Sequence, residues 1–249
     1  MLQAFKRIFT STVGASSHGA IATWARQQGY GFKRAREVDG FIVDGTSKGR
    51  AWRMEWGPPQ RAYILGHELR LRMEIDLSSD IQMLVLALPL MEQLERQTYE
   101  QFVEGTQTQI GDATPEEMRW LVMFPKVDLS TLKSVRAHFG AVASAPAAGL
   151  AWIEGELAGA LDAARGGLLR AQPPFVLMAM RGRTYLRLQM ADPDATALAQ
   201  AVQLFEVGVE QAVAATARHR LSNVTDWPAS ASTAWQDIQP QGPGNRPRR

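Results

Sequence analysis

The stretch from His67 to Asp76 reads His-Glu-Leu-Arg-Leu-Arg-Met-Glu-Ile-Asp and alternates apolar with charged side chains. Because successive side chains of a β-strand point to opposite faces, this alternation predicts a half-buried strand. One face carries Leu69, Leu71, Met73 and Ile75, and the other carries Glu68, Arg70, Arg72 and Glu74. A shift of one residue in the strand pairing would bury the charged side chains, so the register of this strand is strongly specified.

The composition is that of an ordinary soluble globular protein, with 45% hydrophobic and 21% charged residues. A length of 249 residues suffices for one large domain or two small ones. The 27 basic and 25 acidic residues are too balanced to favour a nucleic-acid partner. The chain has no cysteine, which excludes disulfides and thiolate chemistry and is typical of a reducing compartment. We therefore expect a cytoplasmic protein of bacterial type.

Both ends of the chain differ from the body. Residues 1–15 form an N-terminal segment without the apolar core or cleavage site of a signal peptide. We interpret this segment as packing on the body or fraying, rather than as a membrane-surface helix at residues 1–10, because so short a helix buries little area. No run approaches the ~18 apolar residues of a membrane span. Residues 222–249 are rich in Ser, Pro, Gln and Gly, which predicts a disordered tail after a globular domain at 16–221.

Strand patterns and helical patterns occupy separate stretches of the body. Strands are predicted at residues 41–43, 51–56, 62–65, 68–75, 175–180 and 184–190, and the apolar run 81–88 fits either a buried strand or a helix start. Helical patterns follow Ser17, Pro89, Pro146 and Pro193. This segregation predicts an α+β fold, mainly an antiparallel sheet of about five to seven strands with helices packed on one side.

A further helix start lies in the middle of the chain, where Thr114-Pro115-Glu116-Glu117 has the spacing of a capping box. The helix that this box opens is predicted to be short, because the run from Trp120 to Phe124 is apolar and Pro125 ends it.

A hint of duplication links two parts of the body. Pro58-Pro59, two predicted strands and Leu-Arg-Leu-Arg-Met at 69–73 are echoed by Pro173-Pro174, two strands and Leu-Arg-Leu-Gln-Met at 186–190. Two interpretations stay open: related halves at 16–110 and 111–221, or two independent copies of a common hairpin-then-helix module.

Motifs for metals and cofactors are absent from the sequence. The histidines, His18, His67, His138 and His219, include no pair at the i, i+4 spacing of a helical metal site. His67 and Glu68 are neighbours on a strand, so their side chains point to opposite faces and cannot share one metal. The chain also lacks a Gly-x-Ser-x-Gly elbow, a Walker loop and a dinucleotide-binding glycine motif. We therefore predict no metal and no cofactor.

The charged face of the 68–75 strand provides the candidate site. Arg70 and Arg72, extended by Arg187 if the two hairpins share one sheet, could bind an anionic group through arginine forks, and His67 lies at the start of the strand. The alternative is a water-facing surface with self-neutralising cross-strand pairs.

Two functions from different classes follow. The first is a non-enzymatic protein that binds a partner protein or a ligand, or associates with itself, and it rests on the absence of catalytic motifs beside a well-patterned core. The second is an enzyme with an acid–base site that uses His67 with Glu68 or Glu74. A deep pocket lined by His67 and converging polar groups would favour the enzyme.

Removing the tail, residues 222–249, is expected to leave the thermal midpoint within about 2 °C of the full-length value, because the tail has few apolar residues. The competing hypothesis is that Trp227 and Trp235 dock on the body. A domain of this size loses roughly 2–4 °C per kcal/mol of lost stability, so a drop well beyond that scale in parallel melts would show that the tryptophans are structural.

Overall fold

The computed structural model describes residues 18–77, 80–103 and 114–225. These residues contain one antiparallel sheet. Its eight strands lie in the order β1-β2-β3-β4-β8-β7-β5-β6. They are β1 (Gly31–Arg34), β2 (Phe41–Ser47), β3 (Arg50–Gly57), β4 (Glu68–Glu74), β5 (Met83–Ala87), β6 (Phe139–Ala143), β7 (Phe175–Met180) and β8 (Arg183–Gln189). The predicted α+β fold with a mainly antiparallel sheet is confirmed, with eight strands instead of five to seven.

Strand β4 lies in the middle of this sheet, between β3 and β8. Its apolar side chains Leu69, Leu71 and Met73 are 0%, 1% and 2% exposed, as the alternation predicts. Burying each contributes roughly 1.5–3 kcal/mol as an upper estimate. The opening stretch therefore forms the centre of the sheet and one wall of the core.

One predicted strand is absent from the structure, and two strands of the structure were not predicted. Residues 62–65 form a turn in which the Ile64 N–H donates to the Arg61 carbonyl at 3.1 Å, after Pro58 and Pro59 interrupt strand pairing. Strands β1 and β6 were not predicted. Every residue of β6 is buried, so its sequence lacks alternation, and β1 is a four-residue edge strand with too short a pattern.

Seven helices are described. They are α1 (residues 18–27), α2 (Leu88–Val103), α3 (Glu116–Met123), α4 (Lys133–Arg136), α5 (Pro146–Ile153), α6 (Glu156–Arg165) and α7 (Ala195–Thr225). Helix α7 lies against the apolar face, because a Cβ on Gly208 would meet Leu177 at 2.8 Å. The Trp152 indole of α5 donates to the Gly208 carbonyl at 2.8 Å, which joins α5 to α7 on that face.

Helix α2 lies on the opposite face, at the β5–β6–β7 end of the sheet. A Cβ on Gly140 would meet the Met91 sulfur, and Gly140 pairs with Leu86 on β5. The residue before Leu86 is Val85, which pairs with Leu177. Because neighbouring strand residues point to opposite faces, Met91 of α2 lies on the face opposite to Leu177. The helices therefore cover both faces at this end, which is why all of β5 and β6 is buried. At the other end, the helices that contact β4 and β8 in the described part of the chain do so from the apolar face.

The echoed motifs meet as neighbouring strands. Leu69, Arg70 and Leu71 pair antiparallel with Leu188, Arg187 and Leu186. The echo does not extend further, because Pro58-Pro59 is followed by a turn whereas Pro173-Pro174 is followed by β7. Strand β5 also lies between β6 and β7, so the two predicted halves interleave in one sheet.

Helix α7 extends to Thr225, so residues 222–225 continue a helix where the tail was predicted to begin. The remaining tail at 226–249 and the N-terminal segment at 1–15 lie outside the described residues. A truncation after Thr225 is therefore the version of the tail experiment that leaves α7 whole. None of the described helices combines the length and apolarity that crossing a membrane requires.

Candidate functional site

Strand pairing brings the predicted arginines together on the polar face of β3, β4 and β8. Arg70 is paired with Glu55 on one side and Arg187 on the other. Because the two hairpins share one sheet, the condition for Arg187 to extend the row is met. We call this surface the arginine face; it consists of Asp44, Arg53, Glu55, Glu68, Arg70, Arg72, Glu74, Arg183, Tyr185 and Arg187.

A buried carboxylate anchors one end of the arginine face. Glu68 is 0% exposed, and its Oε1 accepts from the Arg187 Nη1 at 2.5 Å. Its Oε2 accepts from the Gln60 N–H at 2.6 Å and from the Arg70 Nη1 at 3.3 Å. Charge-assisted hydrogen bonds to both oxygens allow a carboxylate to stay ionised away from water. One of the two interpretations placed Glu68 on a water-facing surface, whereas in the structure the segment around Gln60 folds over it.

Arg70 is held in place from several directions. Its guanidinium donates to the Pro58 carbonyl at 2.9 Å and lies 3.4 Å from the Glu55 carboxylate. The side chains of Arg70 and Arg187 are 18% and 13% exposed. Two of the predicted binding arginines therefore hold Glu68 and the 58–60 backbone, and their fixed position shapes the surface beside them.

Arg72 is in a different situation, since its side chain is exposed and lies directly opposite Arg53 across the strand pair. The charge of Arg53 is compensated by Asp44, whose Oδ1 accepts from the Arg53 Nε at 2.7 Å. Within the described residues, the Arg72 side chain has no hydrogen bond or ion pair. Like charges directly opposite each other destabilise a sheet, so the pairing of Arg72 with Arg53 does not stabilise the fold.

A groove runs along β4 past this free guanidinium. A cleft of ≈420 Å³ is lined by residues that include Glu74, Arg183 and Arg72, and a second of ≈110 Å³ is lined by residues that include Arg72, Gln60 and Arg187. The two clefts share Arg53, Arg72 and Tyr185. The shared residues place Arg72 between two adjoining clefts, which together we call the groove.

A second buried carboxylate, Glu117, binds the turn that follows Gln60. Glu117 on α3 is 0% exposed; its Oε1 accepts from the Arg61 Nε at 2.6 Å and from the Tyr63 hydroxyl. These bonds connect α3 to the turn at 61–65. Gln60, directly before this turn, donates its N–H to Glu68. Glu117 makes no side-chain capping bond at the start of α3, so the capping-box expectation is wrong.

The environment of Glu117 sets its charge. Burial acts to raise the pKa of the Glu117 carboxyl, but the hydrogen bond and charge of Arg61, with the Tyr63 hydroxyl, outweigh burial and lower the pKa below its ordinary value. Burial, followed by the Glu117 charge, raises the pKa of Tyr63, which keeps its hydroxyl protonated as a donor. The result is an ion pair with Arg61 that is present at neutral pH.

The structure does not bring His67 together with Glu68 or Glu74. The His67 ring stacks on Trp56, with centroids 4.2 Å apart and planes at 8°, and its Nε2 lies 3.7 Å from an Asp39 oxygen. Glu68 is bound by arginines, and the Glu74 side chain, 81% exposed, lies 3.2 Å from Arg183 near the far end of β4. Among the described residues, no group of three or more His, Asp or Glu is placed to hold a metal ion.

Arg61, Tyr63 and Glu117 form a cluster that was not predicted from the sequence. They come from a turn and a helix about fifty positions apart, and the only local signal, the spacing Thr114 to Glu117, indicated a cap instead. The Pro58-Pro59 interruption before Arg61 was the sequence feature that could have indicated a turn rather than a strand.

No protein-family model and no curated protein sequence matches this chain. Among solved structures, the fold is similar to that of the mycobacterial trehalose monomycolate transport factor A, with a TM-score of 0.46 and 6% sequence identity. The match covers 78% of this chain and 93% of that one. A similarity of this size supports no functional inference, so the function is argued from the arginine face alone.

Proposed function

We propose that this protein is a non-enzymatic binding protein whose arginine face takes an extended, acidic segment of a partner protein. The observation that carries the proposal is Arg72: an exposed guanidinium without an acidic partner among the described residues, opposite another arginine, where the two clefts of the groove adjoin. A carboxylate bound there would relieve the repulsion between Arg53 and Arg72 and complete the charge pairing of the surface.

The dimensions of the groove favour an extended segment. Strand β4 has seven residues, which at about 3.3 Å per residue span about 23 Å. Because β4 is paired on both sides, its backbone is not available for strand addition. Recognition would therefore rest on side chains, with partner carboxylates bound by the guanidinium groups along the groove.

Two neighbouring arginines can join Arg72 in binding. Arg53 and Asp44 have side chains 39% and 36% exposed, and Arg183 and Glu74 have side chains 54% and 81% exposed. Exposed ion pairs of this kind contribute only ~0–1 kcal/mol, so a partner carboxylate can replace the internal one at small cost. Arg70 and Arg187 stay bound to Glu68 and keep the floor of the groove rigid.

Reversing the charge of Arg72 is expected to weaken partner binding strongly while leaving the fold intact. Full-length wild type, Arg72→Glu and the control Arg96→Glu, an exposed arginine on α2, would be purified in parallel from the native host and their bound proteins identified by mass spectrometry. Binding to the partner so identified would then be titrated. We expect Arg72→Glu to weaken it at least tenfold, since a charge-assisted hydrogen bond contributes about 1.5–3 kcal/mol.

Cross-linking locates the contact. A photo-reactive residue at position 72 should cross-link to an acidic segment of the partner, and the affinity should fall as salt rises because charge attraction is screened. A partner retained equally by Arg72→Glu, or cross-linked through a neutral segment, would contradict the proposal. Recovery of the chain itself as the binding partner would assign the surface to self-association instead.

A further inference from the structure

A second, separate cavity lies at the other end of the sheet, where β5 ends and β6 and β7 begin. It has a volume of ≈220 Å³ and an apolar floor that includes Ala87, Phe139, Leu169 and Phe175. The Phe139 and Phe175 rings meet edge to face with centroids 6.0 Å apart. All four floor residues are at most 5% exposed, so the floor of the cavity belongs to the packed core and is not formed by surface loops.

The rim of this cavity is cationic and polar. Arg165, Arg170, His138 and Gln172 line it, and no carboxylate is among its lining residues. Arg165 pairs with Asp162 at 2.8 Å, through side chains 35% and 51% exposed, which is a weak surface pair. Arg170 is exposed and, across the described ranges, has no hydrogen-bond or ion-pair partner for its side chain.

One rim residue has an unusual backbone conformation. Gln172 has a φ of 49°, in the left-handed region that a residue with a side chain adopts at a cost. This conformation precedes Pro173-Pro174 and places the Gln172 Nε2 3.0 Å from the His138 Nδ1. With the amide nitrogen donating to Nδ1, a neutral imidazole carries its proton on Nε2 and is a second hydrogen-bond donor at the rim.

We propose that this cavity binds a small carboxylate with a single-ring apolar body. Aromatic and aliphatic side chains form the floor, which suits the ring, and guanidinium and imidazole donors at the rim suit the carboxylate. The volume corresponds to about seven water molecules at ~30 Å³ each, enough for one ring and its carboxylate. The site is independent of the arginine face, because the two share no lining residue.

Calorimetric titration of the full-length protein with matched probes tests both parts of this assignment. Benzoate has the ring and the charge, benzamide has the ring without the charge, and acetate has the charge without the ring. We expect saturable binding of benzoate and at least tenfold weaker binding of benzamide and of acetate. Comparable affinity for benzoate and benzamide, or no saturable benzoate binding, would overturn the proposal.

Substitutions locate the binding. Arg170→Gln should weaken benzoate binding about tenfold, whereas Arg96→Gln, the same charge change on α2, should leave it unchanged. Ala87→Leu should abolish binding by filling the cavity without altering charge, and a thermal melt would show that this variant is folded. Arg72→Glu should have no effect, which separates this site from the arginine face. Unchanged benzoate affinity in Arg170→Gln would place the ligand elsewhere and refute the assignment.

Discussion

Glu68→Gln is expected to lower the thermal midpoint by about 6–12 °C. Removing one partner of a buried ion pair typically costs ~3–5 kcal/mol, because the remaining charge is left uncompensated away from water. Here Arg187 and Arg70, 13% and 18% exposed, would lose their common counter-charge. Glutamine keeps one oxygen acceptor, so we expect a loss near ~3 kcal/mol, and a chain of this size loses roughly 2–4 °C per kcal/mol.

The same strand supplies a matched control. Glu74→Gln removes an identical charge from β4, but the Glu74 side chain is 81% exposed and its pair with Arg183 is at 3.2 Å. Exposed pairs contribute little, so we expect a change within about 0.5 kcal/mol. Melts of the two variants would be run beside wild type. Equal midpoints for Glu68→Gln and Glu74→Gln would show that burial of Glu68 adds nothing to the stability of the sheet.

Glu117→Gln is expected to lower the free energy of unfolding by about 3–5 kcal/mol at neutral pH. Glu117 is 0% exposed, and its loss as a charge leaves the Arg61 guanidinium, 22% exposed, without a counter-charge. The Arg61 and Tyr63 bonds both end on the same oxygen, which the glutamine carbonyl still provides, so the expected loss comes from the missing charge. Chemical unfolding at constant temperature measures the free-energy difference directly.

The pH dependence of this difference follows from the direction of the pKa shift. The pKa of Glu117 is lower in the folded protein than its ordinary value, chiefly because the charge and hydrogen bond of Arg61 overcome the opposing effect of burial. The ionised carboxylate therefore stabilises the fold above the ordinary glutamate pKa of about 4.3, and this contribution is lost as the pH falls through the lowered folded-state value. The difference in the free energy of unfolding between wild type and Glu117→Gln should therefore become smaller in that acidic range.

Glu116→Gln is the control for this second substitution. Glu116 is the neighbouring residue on α3, and its side chain is 24% exposed in an i, i+3 pair with Arg119 at 2.6 Å. Helix-surface pairs contribute ~0.2–0.5 kcal/mol, with a further ~0.3–1 kcal/mol from the charge at the helix N-terminus. A loss as large in Glu116→Gln as in Glu117→Gln, or a gap that stays constant down to acidic pH, would contradict the buried ion pair.

Local pattern was enough to predict the centre of the fold. The alternation over 68–75 predicted β4 and its buried apolar face, because a period of two allows only one set of side chains to enter the core. Segregated strand and helix patterns predicted the α+β class and the antiparallel sheet. The same reasoning does not detect β6, because a strand buried on both faces has no alternation to read.

The candidate site, too, was only partly predictable from local sequence pattern. Sequence alone placed Arg70 and Arg72 on one face, and it gave the condition under which Arg187 would join them, namely that the two hairpins share a sheet. It could not distinguish Arg70 from Arg72, because both follow from one alternation. The distinction arises from the chain around Gln60, which folds over Glu68 and engages Arg70, and from Asp44, which compensates Arg53 and leaves Arg72 free.

The amino-acid sequence by itself determined which apolar side chains of β4 face the core and which charged side chains lie on the opposite face, since both follow from the two-residue period of one strand. Only the tertiary structure decided which of the charged side chains leave water. Glu68 and Glu117 are buried by segments distant in the chain, where arginines compensate the cost of desolvation. Burial of a charge depends on contacts between such segments, and no local pattern encodes them.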